Sequence, residues 1–149
     1  MSRGAKLGLG LLGVAVVGLG SSRVLGSRPA DPAAHGPLAP CPGDPNCTHH
    51  QVRLDATPEA VRAAAEETVR DDEHWLTGRA RDITYTASGL KAVYRTGPFD
   101  DDLTAAVEAD GEGSVLTVRS ASRVGRSDLG VNRLRVRRLT EAVRARLGA

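Results

Sequence analysis

Residues 83–122 read ITYTASGLKAVYRTGPFDDDLTAAVEADGEGSVLTVRSAS, and this stretch decides the fold class. Segments rich in β-branched residues alternate here with turn sequences at Ser88-Gly89, at Gly97-Pro98 and at residues 110–113. Such segments are typical of strands, and short turns between them join antiparallel neighbours. The pattern therefore predicts a four-stranded antiparallel meander. Its expected strands are residues 83–87, 90–96, 103–109 and 114–122, with residues 51–55 as a candidate for a short extra edge strand.

One helix is expected before this sheet and one after it. Thr57-Pro58-Glu59 supplies an N-cap, a proline suited to the first turn and an acid at the positive end of the helix dipole. We expect this helix to end near Asp71, with a buried face made of Val61, Ala65, Thr68 and Val69. The last helix has an apolar stripe of Val136, Leu139, Val143 and Leu147. Five arginines are expected mostly off that stripe, namely Arg135, Arg137, Arg138, Arg144 and Arg146.

Composition and patterning together predict an α+β two-layer sandwich, in which two helices pack on the four-stranded sheet. Hydrophobic residues make up 40% of the chain and charged residues 26%, as in ordinary globular proteins. Aromatic residues are only 3%, so Val, Leu and Ala must supply most of the core. The large side chains available to that core are Trp75, Tyr85, Tyr94 and Phe99.

The N-terminal segment has the pattern of an export signal. Leu7–Gly20 is fourteen residues without a polar side chain, and two basic residues precede it. As a helix it would cover only ~21 Å of a ~30 Å hydrocarbon layer. We expect residues 1–28 to be an apolar helix that serves as a signal peptide or membrane anchor, residues 29–40 a Pro-rich linker, and residues 41–149 a single domain. The protein is then membrane-anchored or secreted, on the extracytoplasmic face.

Charge is distributed unevenly along the chain, although the net charge is only +2. Residues 1–28 carry +4, residues 29–112 carry −9 and residues 113–149 carry +7. An acidic middle and a basic end can neutralise each other within one domain, or the basic end can face phosphates or lipid headgroups. Nucleic acid is not an expected partner, because the chain has an export signal and few aromatic residues for base stacking.

Cys41 and Cys47 enclose the short turn sequence Pro-Gly-Asp-Pro-Asn. In an oxidising compartment two such neighbouring cysteines favour a disulfide. A zinc site is the alternative, because His49 and His50 follow directly and would complete four ligands. The spacing fits no standard zinc motif, so we expect a disulfide, with no metal and no cofactor.

Residues 119–133 read RSASRVGRSDLGVNR and contain four arginines. Arginine guanidinium groups make forked contacts to carboxylate or phosphate, and the start of the last helix, capped by Ser127 or Asp128, would add backbone donors for an anion. Structural pairing with the Asp100–Asp102 carboxylates at the start of the adjacent strand is the alternative. The candidate ligand-binding residues are Arg119, Ser120, Ser122, Arg123, Arg126, Ser127, Asp128, Asn132, Arg133, Asp101 and Asp102.

Catalysis is less favoured than binding. A serine nucleophile needs a base, yet histidines occur only at positions 35, 49, 50 and 74, and no Gly-x-Ser-x-Gly elbow is present. The sequence therefore favours a non-catalytic envelope module that binds a partner protein or a small anionic ligand through residues 119–133. The alternative is a hydrolase of an envelope ester, phosphate or glycan that uses Ser122 or Asp101 with Arg123 as a clamp.

Three motifs together resemble the domain of unknown function 1499 family. They are PCPGDPNC at residues 40–47, FDDD at residues 99–102 and the long motif at residues 119–133, and the likeness runs from about Pro40 to the C-terminus. The resemblance implies a domain type found in bacterial envelope-associated and plastid proteins, with no assigned activity. Thr48-His49-His50 departs from the family, which commonly has small or hydroxyl residues there. A family-wide metal role is therefore not implied for these histidines.

Overall fold

The structure is a computed structural model, and it describes residues 37–149. The apolar helix expected in residues 1–28 lies outside the described residues, as does most of the expected linker. Within residues 37–149, no helix has both the length and the apolar character needed to span a membrane. The elements in chain order are β1 (Cys47–Leu54), α1 (Pro58–Asp71), β2 (Glu73–His74), β3 (Gly78–Thr86), β4 (Gly89–Thr96), β5 (Phe99–Asp110), β6 (Gly113–Ser122) and α2 (Val131–Leu147).

The strands form one antiparallel sheet in the order β1-β6-β5-β4-β3-β2. The α+β class with two helices is confirmed, but the four-stranded meander is wrong, because the sheet of the described domain has six strands. The two additional strands are β1 and β2, and the longer one, β1, pairs with β6 from Cys47↔Ala121 to Leu54↔Ser114. The first half of β1 is polar, and its apolar and polar residues do not alternate. Pairing with β6, not its own sequence pattern, therefore makes this half a strand.

Helix α1 begins and ends as its sequence predicts. The Thr57 hydroxyl accepts a hydrogen bond from the Ala60 N–H at 3.3 Å, a proline opens the first turn and the helix ends at Asp71. Its buried residues include the four expected ones, Val61, Ala65, Thr68 and Val69. The capping residues and the apolar spacing therefore suffice to place this helix against the sheet.

Both helices pack on the same face of the sheet, and the core lies between the two layers. Successive side chains of a strand point to opposite faces, so alternate residues of the central strands enter this core. The core residues of the sheet include Leu90, Ala92, Leu103, Ala105, Val107, Leu116 and Val118, and those of the helices include Val61, Val69, Val136, Leu139 and Val143. Neither helix covers the opposite face, which we call the outer face.

Two sequence-based expectations about the core are wrong. The sequence pattern puts Arg135 off the apolar stripe, but its side chain is fully buried. Of the four large aromatic residues, only Tyr94 is buried, whereas Trp75, Tyr85 and Phe99 are exposed. Trp75 lies in the connection between β2 and β3, and Phe99 is the first residue of β5, so both are at the end of the sheet instead of under a helix.

Candidate functional site

Arg135 is the charged centre of the domain. Its Nη2 donates to Asp101 Oδ2 at 2.8 Å, and its guanidinium stacks 4.5 Å from the centroid of the Tyr94 ring. Its other hydrogen bonds go to the Thr77 carbonyl and to the side chains of Thr96, Ser120 and Asn132. Every guanidinium nitrogen is therefore bonded, and the Asp101 carboxylate balances the buried charge. These groups stabilise the fold and leave no free cation for a ligand.

Tyr94, beneath this guanidinium, is held in its neutral form. Burial raises the pKa of the Tyr94 hydroxyl far above its usual range, and the nearby Asp72 carboxylate raises it further. Asp72 is itself paired with Arg138, at 3.2 Å between Oδ1 and Nη2. Asp72 and Arg138 thus form an ion pair beside the Tyr94 hydroxyl.

Asn132 connects three parts of the chain. Its Nδ2 donates to the Asn46 carbonyl at 3.0 Å and to Ser122 Oγ at 2.9 Å. Its Oδ1 accepts from Ser120 Oγ at 2.5 Å and from Arg135 Nη1 at 2.7 Å. The candidate residues Ser120, Ser122 and Asn132 therefore join the segment before β1, strand β6 and helix α2, and their polar groups bond to one another.

The start of α2 is occupied by the protein's own carboxylate. Asp128 accepts from the Gly130 N–H at 2.9 Å and from the Asn132 N–H at 2.6 Å, while Ser127 Oγ accepts from the Leu129 N–H at 3.3 Å. Asp128 thus occupies two of the backbone donors that an external anion would use at this helix start. The structure places the candidate residues Ser127 and Asp128 together here, with Asp128 capping the helix.

The Asp100–Asp102 triplet meets the arginine-rich segment, but it divides between the two faces of the sheet. Asp101 points to Arg135 on the helix side. On the outer face, Arg123 Nη2 lies 2.7 Å from Asp102 Oδ1, and Arg95 Nε lies 2.7 Å from Asp100 Oδ1. The hydrogen bond from Arg95 lowers the pKa of the Asp100 carboxyl, and Asp102 raises the pKa of Arg123. Arg123 is thus already paired within the chain.

A polar groove of about 620 Å³ crosses the outer face from β3 to β6. The residues that line it are Asp82, Thr84, Lys91, Ala92, Val93, Asp102, Leu103, Thr104, Arg119 and Arg123. Arg119 is only partly exposed, and its buried Nε has no hydrogen-bond partner. Among residues 37–149, it makes no ion pair either. A buried donor without a partner is uncommon in folded proteins, and here it belongs to a cation in a groove.

A smaller cavity of about 120 Å³ lies beside the buried polar centre. It is lined by Thr96, Phe99, Asp101, Ser122, Val124, Gly125, Ser127, Asp128 and Val131. It brings together Asp101 and Ser122, the two residues of the alternative hydrolase. However, Ser122 Oγ accepts its hydrogen bond from Asn132, and Asp101 pairs with Arg135. The described residues thus give Ser122 no hydrogen-bonded base, which nucleophilic catalysis requires.

The two remaining arginines of the segment lie elsewhere. Arg126 is exposed in the loop before α2 and lines neither the groove nor the small cavity. Arg133 is exposed on the first turn of α2 and lines a separate cavity of about 280 Å³ beside His49 and His50. The four arginines of residues 119–133 therefore do not converge on one point.

Cys41 and Cys47 form a disulfide, with their Cα atoms 5.6 Å apart. Both sulfur atoms of the alternative zinc site are thereby used. Asn46, within this loop, donates from Nδ2 to the Gly125 carbonyl at 2.5 Å. The disulfide turn is consequently fixed against the loop that precedes α2.

Sequence reasoning missed Arg135 and Lys91. Asn132, Arg135, Val136 and Leu139 recur at the spacing of one helix face, so extending the apolar stripe backward would have placed Arg135 inside. Lys91 is isolated in the sequence, and nothing local indicates that its strand lies near that of Arg119.

The family model described as protein of unknown function (DUF1499) matches residues 37–143. The chain belongs to this family. The match confirms the resemblance noted in the sequence, and it spans the disulfide turn, the buried polar centre and the outer-face groove of this DUF1499 domain. No curated protein matches the chain. The crystal structure of TTHA0849 from Thermus thermophilus is similar at 11% identity and a TM-score of 0.39, over 67% of this chain and 95% of that one. This likeness is too low to assign a shared fold.

Proposed function

We propose that this DUF1499 domain is a non-catalytic module that binds a small anionic ligand in the outer-face groove. The observation that supports this function best is the state of Arg119, a partly buried cation that lines the groove without a protein partner. Asp102, which lines the same groove, pairs with Arg123, so Arg119 has no ion-pair partner among the groove residues. A bound anion would supply that missing partner.

Comparison of Arg119 with Arg123 sharpens this proposal. Both side chains line the groove from the same face of the sheet, but Asp102 and Asp100 neutralise Arg123. Arg123 therefore shapes the groove wall, and Arg119 is the residue that anchors the anion. Arginine suits this role because its forked donors match a carboxylate or phosphate group.

The other groups in the groove indicate what the rest of the ligand looks like. Lys91 adds a second positive charge, whereas the hydroxyls of Thr84 and Thr104 and the carboxylates of Asp82 and Asp102 offer hydrogen-bond acceptors. Acceptors of this kind pair with ligand hydroxyl groups. A volume of about 620 Å³ is that of a typical small-molecule site. The ligand class is therefore a polyhydroxylated anion, such as a uronic acid or a phosphorylated sugar.

Calorimetric titration of the full chain with glucuronate and with glucose tests this function. The two sugars differ in one carboxylate, so we expect saturable binding of glucuronate and much weaker binding of glucose. Arg119→Gln removes charged hydrogen bonds of about 1.5–3 kcal/mol, which corresponds to a roughly 10- to 100-fold weaker affinity for glucuronate.

Arg126→Gln is the matched control, because Arg126 belongs to the same segment but lies outside the groove. We expect it to bind glucuronate like the unchanged protein. Equal affinities for the Arg119→Gln and Arg126→Gln proteins, both folded by circular dichroism, would contradict the proposed function.

A further inference from the structure

Large apolar side chains are exposed at one end of the domain. Among residues 37–149, six such side chains are exposed, and five lie at this end, four in connections and one at the start of β5. Trp75 is 85% exposed and Leu129 is 96% exposed. We call this set the apolar end; its members are Trp75, Leu76, Phe99, Val124 and Leu129.

The sheet topology brings these residues together. Strands β3 and β5 begin at this end, and β4 and β6 finish there. The connection between β2 and β3 carries Trp75 and Leu76, while that between β6 and α2 carries Val124 and Leu129. Phe99 and Val124 line the same small cavity, and the Thr77 carbonyl, next to Leu76, bonds to Arg135 below it. The five side chains thus share one end of the molecule.

The backbone fixes the two most exposed side chains of this end. Leu129 has a φ of +55°, which is unusual for a residue with a branched side chain. Hydrogen bonds from its own N–H to Ser127 Oγ and from the Gly130 N–H to Asp128 hold it in that conformation. Beside Trp75, the Leu76 N–H donates to His74 Nδ1 at 3.2 Å. Both connections therefore present an apolar side chain to solvent in a defined position.

The N-terminal part of the chain joins the domain at this same end. Cys47 pairs with Ala121 at the finish of β6, and the Asn46 carbonyl accepts from the Ser122 N–H at 3.0 Å. The apolar sequence Leu7–Gly20 is thus tethered to the apolar end. A bilayer that receives Leu7–Gly20 would therefore lie within reach of the exposed side chains.

Positive charges accompany these apolar groups. Arg126 and Arg133 lie in the loop before α2 and on its first turn, both are exposed, and neither makes an ion pair within residues 37–149. Proteins that dock on anionic lipid typically place tryptophan at the membrane–water interface, with basic residues beside it. We propose that the apolar end docks on an anionic bilayer surface, with Trp75 and Leu129 among the headgroups and the two arginines against lipid phosphates.

This orientation sets the strands upright on the membrane. The outer face then lies at the side of the docked domain, and the groove stays open to solvent. Membrane docking therefore does not depend on the groove's ligand, and either proposal can fail without the other.

Trp75 is the single tryptophan of the chain and can report its own environment. We would reconstitute the full chain in phosphatidylcholine vesicles that contain phosphatidylglycerol and lipids brominated on the acyl chain. We expect the Trp75 emission to shift to shorter wavelength and to be quenched several-fold more strongly by brominated lipid than by aqueous iodide. Leu129→Ser and the pair Arg126→Gln/Arg133→Gln should each reduce the quenching by brominated lipid.

Trp75→Phe/Tyr85→Trp is the control, because it places the reporter on β3 toward the opposite end of the domain, where Tyr85 is already exposed. Its emission should be quenched by iodide and not by brominated lipid. Equal quenching of the two proteins by brominated lipid, or a Trp75 that iodide quenches freely while brominated lipid does not, would overturn the proposal. The second result is also the one expected if the natural occupant of the apolar end is a protein that the vesicle sample lacks.

Discussion

Asp101→Ala is expected to lower the free energy of unfolding by about 3–5 kcal/mol, because it leaves the buried Arg135 guanidinium without a counter-charge. Both side chains are almost completely buried, and their closest atoms are 2.8 Å apart. Water cannot easily replace the lost carboxylate in that position. Chemical denaturation at neutral pH, followed by circular dichroism, measures the loss.

Asp102→Ala provides the matched control. Asp102 is the next residue along β5, but it faces the other side of the sheet and pairs with Arg123, where both side chains are about half exposed. Exposed ion pairs contribute only about 0–1 kcal/mol, so this variant should stay near the stability of the unchanged protein. Similar losses for Asp101→Ala and Asp102→Ala would show that Arg135 does not depend on a buried partner.

Asn132→Ala is expected to cost about 2–3 kcal/mol of unfolding free energy, because it removes four hydrogen bonds from a fully buried position. The same change detaches the Asn46 carbonyl from α2. We therefore also expect faster amide hydrogen exchange in the disulfide turn at residues 41–47. Denaturation and exchange mass spectrometry measure the two effects.

Arg133→Ala is the control for this second variant, since Arg133 is the exposed neighbour of Asn132 on the same helical turn. Surface changes of this kind usually alter stability by no more than about 0.5 kcal/mol. Arg133→Ala should leave the stability and the amide exchange of residues 41–47 unchanged. If Asn132→Ala did the same, Asn132 would not connect the disulfide turn to the helix.

The central part of the fold follows from local sequence. Residues 83–122 alternate and contain clear turns, and Thr57-Pro58 starts α1 where the structure has it. These features depend on neighbours within a few residues, which a sequence shows directly. The candidate edge strand at residues 51–55 corresponds to the second half of β1, but the four-stranded prediction misses β2 and the polar Thr48-His49-His50, which form a strand only through their pairing with β6.

The sequence could not show which arginines are buried or paired and which lie free in the groove, because this depends on partners far along the chain. Arg135 is buried because Asp101 on β5 and Thr77 in the turn before β3 converge on it, together with Asn132 from its own helix. Alternation along β6 puts Arg119 and Arg123 on one face of the sheet. The register of β6 with β5 then places Asp102 beside Arg123, whereas no carboxylate lies opposite Arg119.

The exposure of Trp75 could not be predicted from the sequence either. A lone tryptophan in a chain that is poor in aromatic residues is expected in the core, because it offers the largest apolar area. Here the two-residue strand β2 and the turn after it carry Trp75 beyond the end of the sheet. The residue is thus placed by topology, and its exposure is the feature that the membrane-docking proposal explains.

The central claim is that Arg119 is the anion anchor of the groove, whereas Arg123 and Arg135 are structural. Side-chain Nε–Hε nuclear magnetic resonance spectra of the arginines, recorded during a titration with glucuronate, test it most directly. We predict that the Arg119 signal shifts saturably while the signals of Arg123 and Arg135 stay in place. An Arg119 signal that does not move, while the signal of Arg126 or Arg133 shifts saturably, would contradict the claim.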